Sequence, residues 1–202
     1  MATYIIIIII TCIISIVAFT NHKHINDLIL WPALMKEKGQ YYRFITSGLI
    51  HANWSHLIFN MITLFFFGAA VEQGYNELFG KGVFLLFYVL ALIVSDIPTY
   101  FQYRDNYAYR SLGASGAISA VLFASIIFDP WNKIYMFFIP IGIPAFIFGI
   151  LYLGYCMYMS KRNLDGINHS AHFWGALFGV LFTVALKPEL IGYFIHSLLG
   201  NS

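Results

Sequence analysis

Apolar residues fall into six runs along the chain, at 4–19, 54–71, 83–101, 112–128, 134–159 and 169–186, and polar positions gather in the connections between them. A helix of about 20 residues spans the roughly 30 Å hydrocarbon core of a bilayer. The pattern therefore predicts six transmembrane helices, with residues 1–202 forming a single transmembrane domain. The first run, dominated by Ile5 to Ile10, lacks a basic leading segment and a small-residue cleavage site, and reads as a retained helix. Pro140, Gly142 and Pro144 interrupt the fifth run, which predicts a non-helical or kinked entry at the interface and a regular helix beginning near Ile143. The first connection, 21–53, carries Ile25, Leu28, Ile29, Leu30, Trp31 and Leu34, and with Tyr41 and Tyr42 suits a segment half-embedded in one leaflet. After the sixth run, residues 188–199 are amphipathic and fit a helix lying on the membrane surface.

Composition agrees with this reading. Hydrophobic residues make up 60% of the chain and charged residues 10%, with a mean hydropathy of +0.75. A soluble domain carries about 25% charged residues. The formal charge of +2 leaves no basic or acidic surface for nucleic acid. Cys12 and Cys156 both sit in apolar runs and read as small hydrophobes.

Polar side chains inside the spans then become the informative ones, because hydrocarbon offers them no partner. The second span opens with His51, His56 and Asn60, the last two four residues apart and so on one helix face. Gly113, Ser115 and Gly116 open the fourth, while His169 and His172 open the sixth. Successive spans alternate direction, so the second, fourth and sixth enter from one side, and these groups share one depth near one face of the membrane. Gly175 and Gly179 lie on nearly the same face as His172, and a G-x-x-x-G spacing allows close helix approach. Gly113 and Gly116 offer a matching small surface. Contact there would bring Ser115 and His172 within hydrogen-bonding reach, as nucleophile and base. Singly, such residues are ordinarily packing or interhelical hydrogen-bonding groups. Packing does not require that three alternate helices place them at the same end.

No H-E-x-x-H is present, and His51 and His56 have no carboxylate beside them, so no metal or cofactor is expected. Asp96 is the only acid well inside a span and lies next to Pro98, where it reads as a cap or interface group and not as half of a carboxylate pair.

In order and spacing, H-x-x-x-x-H-x-x-x-N at 51–60, G-x-S-G at 113–116 and A-H-x-x-G-x-x-x-G at 171–179 resemble the rhomboid family of intramembrane serine proteases. Tyr42 and Arg43 resemble the aromatic and arginine pair of that family's first loop, and Gly68 to Glu72 its G-x-x-x-E. The resemblance implies an all-α, six-helix bundle with a half-embedded first loop, acting as an endopeptidase on transmembrane-helix substrates. By that resemblance Ser115 and His172 are the catalytic dyad, and His56 and Asn60 stabilise the oxyanion. His51, Arg43, Gly113, Gly116, Gly175 and Gly179 support the site, and membrane lipid and transmembrane substrates are the partners. The alternatives are a catalytically silent rhomboid-like protein that binds transmembrane segments, or a small transporter. Some bacterial members carry a tyrosine one turn after the serine, against the catalytic histidine, where this chain has Ser119. The contact that orients His172 must then come from Trp174, Phe173, or an aromatic of the fifth span such as Phe146, Phe148 or Tyr152.

Orientation is contested within the sequence. The connections on the motif side hold Lys23, Lys36, Lys38, Arg43, Arg104, Arg110, Lys161 and Arg162, against Lys81, Lys133 and Lys187 on the other side. Taken literally, the positive-inside rule puts the motif side in the cytoplasm. The resemblance implies a bacterial cytoplasmic membrane with the site facing outward. Four of those cations lie in the long first loop, where Asp27 and Glu37 offset them, which favours the outward reading.

Overall fold

The computed structural model describes residues 1–136, 139–162 and 165–200. Among the described residues four helices are long and apolar enough to cross a membrane: α1 (Thr3–Thr20), α5 (Trp54–Phe79), α6 (Val83–Tyr103) and α9 (His169–Leu186). Two more fall on the remaining runs: α7 (Ser115–Phe128), of 14 residues, and α8 (Ala145–Arg162), of 18, which ends in Lys161 and Arg162. The chain is a predominantly α-helical membrane protein that carries large apolar side chains on its outer surface; Phe66 and Ile150 are each 67% exposed.

At the centre stands α7, packed on α5, α6 and α9, with every residue from Gly116 to Ile127 buried. Its contact with α9 is made by backbone. A Cβ on Gly175 would overlap the Gly116 carbonyl, and one on Gly179 the Ala120 carbonyl, so both glycines are required for this approach. Away from the motif end, Tyr75 Oη and Thr183 Oγ1 lie 2.7 Å apart and tie α5 to α9. α1 is fixed at its start by Glu72, whose two carboxylate oxygens each accept a 2.8 Å bond, from the N–H groups of Thr3 and Tyr4. These N–H groups lack helical partners, and a carboxylate there also opposes the helix dipole. Gly68, one turn earlier on α5, keeps that face low against Tyr4.

The first connection is more structured than its composition predicts. It holds α2 (His22–Leu28), α3 (Pro32–Lys38), α4 (Arg43–Thr46) and a 3-10 turn at Ser47–Leu49. Leu30, Met35 and Ile50 are fully buried in protein, while Ile25, Leu28, Trp31 and Leu34 are partly exposed and Tyr41 and Tyr42 stand outside. Arg43 fastens the loop from within: Nη1 donates to the carbonyls of Asn26 at 2.9 Å and Ile29 at 2.7 Å, and Nε donates to Gln40 Oε1.

Two boundaries differ from the sequence reading. α7 begins at Ser115 and not at 112, because Gly113 adopts φ +114°, which no right-handed helix accommodates. The fifth run opens as two antiparallel strands, β1 (Lys133–Met136) and β2 (Ile139–Pro144), paired Lys133 to Pro144 and Ile134 to Ile143. Proline in β2 withholds the N–H groups a helix would need, and Gly142 lies close against Lys133 and Tyr135. The regular helix starts at Ala145, two residues beyond the predicted position. Between α7, α8 and α9 lies an apolar cavity of about 230 Å³, lined by Phe123, Leu153, Phe173, Ala176, Leu177 and Val180. α10 (Glu189–Leu198) closes the chain; none of its residues is buried, and Trp131 Nε1 donates to its Ser197 carbonyl.

Candidate active site

Ser115 is the first residue of α7, and its placement is set by the segment before it. Ser111 and Leu30 exchange backbone bonds of 3.0 and 3.1 Å, and Gly113 N–H donates to the Ser47 carbonyl at 2.9 Å, so the first connection clamps the approach to the helix. Gly113 was expected to offer a surface to the sixth span. It faces His56 instead, where a Cβ would overlap the imidazole, and Ala120 takes the place on α7 opposite Gly179.

His172 lies in the first turn of α9. That turn is capped by Asn168, whose Oδ1 accepts the N–H of Ala171 and the Thr99 hydroxyl, each at 3.1 Å. Its Nδ2 donates to Asp96 Oδ1 at 3.1 Å and reaches Ser111 Oγ at 3.5 Å. One amide thus joins α6, the approach to α7 and the start of α9. With these starts held together, Ser115 Oγ lies 2.7 Å from His172 Nε2.

Tyr152 of α8 lies against the imidazole, its ring 6.3 Å from that of His172 and tilted by 14°. Its hydroxyl is 2.7 Å from Ser119 Oγ, which donates its own proton to the Ser115 carbonyl at 2.8 Å, so Tyr152 is the donor to Ser119. Of the aromatics that the sequence offered for this contact, Phe148 stacks on Tyr152, Phe146 packs on Trp131, and Trp174 is 40% exposed. Asp165 is the acid near His172, but it bonds to His169 at 3.0 Å, and the His169 ring in turn meets His172 edge-on at 5.5 Å. That bond, with a second from the Ile167 N–H, holds the Asp165 carboxyl below the usual carboxylate range.

α5 presents His56, which lies against Gly113, and Asn60 one turn further on. Asn60 is buried, and its Nδ2 has no hydrogen-bond partner among the described residues. His51 packs edge-on against His56 with ring centres 4.9 Å apart. It is also fastened to α1, which the sequence does not announce: Ser15 Oγ donates to the Leu49 carbonyl, so His51 Nδ1 donates to Ser15 at 3.0 Å. Asn168, Thr99, Ser15 and the Asp165–His169 pair are absent from the sequence reading. Only Asn168 had a readable signal, an Asn immediately before a helical run.

The features define a multi-pass helical membrane protein that holds a serine hydroxyl against an imidazole inside its bundle, at the heads of two touching helices. A family model described as the rhomboid domain matches residues 38–189, and the chain belongs to the rhomboid family. It is 33% identical over 150 residues to the putative rhomboid protease YdcA of Bacillus subtilis, covering 72% of this chain and 67% of that one. It is 32% identical over 163 residues to the rhomboid protease GluP of the same organism, covering 81% of this chain and 29% of GluP. To the mitochondrial RHOMBOID-like protein 12 of Arabidopsis thaliana it is 30% identical over 152 residues, covering 69% of this chain and 45% of that one. The match thus spans less than half the length of two of these three relatives.

Proposed function

We propose that the chain is an intramembrane serine endopeptidase that cleaves transmembrane-helix substrates with Ser115 as nucleophile and His172 as general base. The observation that carries this reading is the 2.7 Å approach of Ser115 Oγ to His172 Nε2. Ser115 Oγ attacks the scissile carbonyl while His172 takes its proton and then delivers it to the leaving amine; water enters by the reverse route to release the acyl group. Among the described residues no carboxylate is hydrogen-bonded to His172, so its ring is oriented by the Tyr152 face and by its position on α9. The oxyanion is met by the Ser115 N–H, the Asn60 amide and His56. Two features support that assignment. Among the described residues Asn60 Nδ2 is a buried donor without a partner and no side chain caps α7, which leaves its first N–H groups and the positive end of its dipole facing the site.

A serine-reactive fluorophosphonate probe tests the chemistry. Labelling is expected in the native chain and lost in Ser115→Ala; labelling that survives would remove Ser115 as nucleophile. Incubation of purified protein with a panel of model transmembrane substrates, with cut sites mapped by mass spectrometry, then defines specificity. Activity falls at acid pH, because protonated His172 cannot accept the serine proton.

The site opens on the side of the membrane away from the N-terminus. Thr3 bonds to Glu72 toward the C-terminal end of α5, whereas His56 lies at the other end of that helix. With the N-terminus inside, Asn53→Cys is labelled by an impermeant maleimide from outside; labelling only after the inner face is opened would invert the topology.

A further inference from the structure

The imidazole of His172 also belongs to a donor cluster, whose other two members the proposed chemistry does not use. Cys156 on α8 and His169 and His172 on α9 each present a ligand atom, and these atoms all lie within 4.8 Å of one another. Cys156 and His169 are buried, while His172 is half-buried and gives the cluster its way in. His169 supplies an independent sign. Its Nε2 is held by Asp165 Oδ2 at 3.0 Å, and its Nδ1 is buried with no hydrogen-bond partner among the described residues. A neutral imidazole that donates from Nε2 carries its lone pair on Nδ1. A carboxylate on the far nitrogen is also the arrangement that orients an imidazole ligand and raises its basicity.

We propose that Cys156, His169 and His172 form an inhibitory site for one Zn²⁺-type cation, which silences the protein by occupying its general base. The site rests on the reading of His172 as that base. Two imidazoles and a thiolate suit a borderline-soft ion and not Mg²⁺ or Ca²⁺, which take oxygen ligands. Bond lengths of about 2.0 to 2.3 Å place tetrahedral donors roughly 3.5 Å apart, so side-chain shifts of about 1 Å close the set around a metal. On binding, Cys156 releases its thiol proton to solvent and coordinates as thiolate. His172 coordinates through one nitrogen and keeps its single proton on the other. Whichever nitrogen binds, no lone pair remains for the Ser115 proton. The fourth position stays open to water or to the serine.

Two measurements test the site, the first independent of proteolysis. Detergent-purified Ser115→Ala protein titrated with Co²⁺ is expected to form a 1:1 complex with a tetrahedral visible spectrum and a near-ultraviolet thiolate band, displaced by Zn²⁺. The thiolate band disappears in Cys156→Ser and in Cys156→Ala, and Asp165→Asn weakens binding by about 10- to 100-fold. In the second, cleavage of a model transmembrane substrate by the native chain is inhibited by buffered Zn²⁺ and restored by EDTA. Cys156→Ser cleaves at the native rate without metal but needs about tenfold more Zn²⁺, or higher still, for half-inhibition. Absence of the 1:1 complex, a thiolate band unchanged in both Cys156 variants, or equal Zn²⁺ sensitivity of native and Cys156→Ser protein each overturns the site. A chain that forms the cobalt complex yet cleaves nothing would keep the metal site and remove the protease reading.

Discussion

Along α7 and α9 the two backbones touch, whereas α8 meets the rest of the bundle through side chains. Every residue of α7 from Gly116 to Ile127 is buried, and a Cβ at Gly175 or Gly179 has no room. On α8 the buried residues are Ala145, Gly149 and Cys156, and an apolar cavity of about 230 Å³ lies between it and its neighbours. Ser115 and His172 both sit on the tight seam, while α8 contributes the Tyr152 ring and the one bond from its hydroxyl to Ser119. A position fixed by backbone contact cannot be adjusted by a rotamer change. Ser115 and His172 are thus held by the part of the fold with the least freedom, and the wall beside them by a part that can yield without separating them.

The sharpest test removes the groups on the seam. Ser115→Ala and His172→Ala are each expected to lower cleavage by about 10³-fold or more while leaving the melting temperature nearly unchanged. Asn60→Ala, opposite the seam, is expected to cost about 10² to 10³ in kcat with little change in KM, since it withdraws a donor that acts as negative charge develops. If Asn60→Ala and His56→Ala were both silent, the oxyanion would be stabilised by other groups. A third comparison sets glycine against glycine. Gly175→Leu forces α7 and α9 apart, and a displacement of about 1 Å costs on the order of 10² in rate, with a lower melting temperature. Gly154→Leu on α8 meets open space and is expected to change neither reading. Native turnover in Gly175→Leu would dissolve the contrast between seam and wall. Smallest is Tyr152→Phe, which keeps the ring on His172 and loses the Ser119 bond; a loss below about tenfold is expected, as for one neutral hydrogen bond.

The seam was readable in the sequence because it obeys short-range rules. Helical periodicity places His56 with Asn60 and His172 with Gly175 and Gly179, and alternation of span direction brings three helix starts to one side. Other parts depend on packing between distant segments, which no local spacing encodes. Asn168 serves α6 and the approach to α7 through its side chain alone. The Tyr152–Ser119 bond joins residues 33 positions apart, so the sequence could name Tyr152 only as one of several aromatics. The strands β1 and β2 were hidden for another reason. In a chain this apolar a short apolar strand and part of a membrane helix read alike, and only Pro140, Gly142 and Pro144 marked the difference.

The shortness of α7 bears on the depth at which Ser115 would sit in a bilayer. Its 14 residues measure about 21 Å, against a hydrocarbon core of about 30 Å. Were α7 to stand along the bilayer normal with Asp129 and Trp131 at one interface, the hydroxyl of Ser115 would rest roughly 9 Å beneath the opposite edge of the core. Lengthening the helix by one residue would raise that hydroxyl by about 1.5 Å but also turn it by about 100°, away from His172. Depth and bearing are coupled through the helical screw. Ser115 can approach the membrane surface and still face His172 only by moving a whole turn, about 5.4 Å at a time.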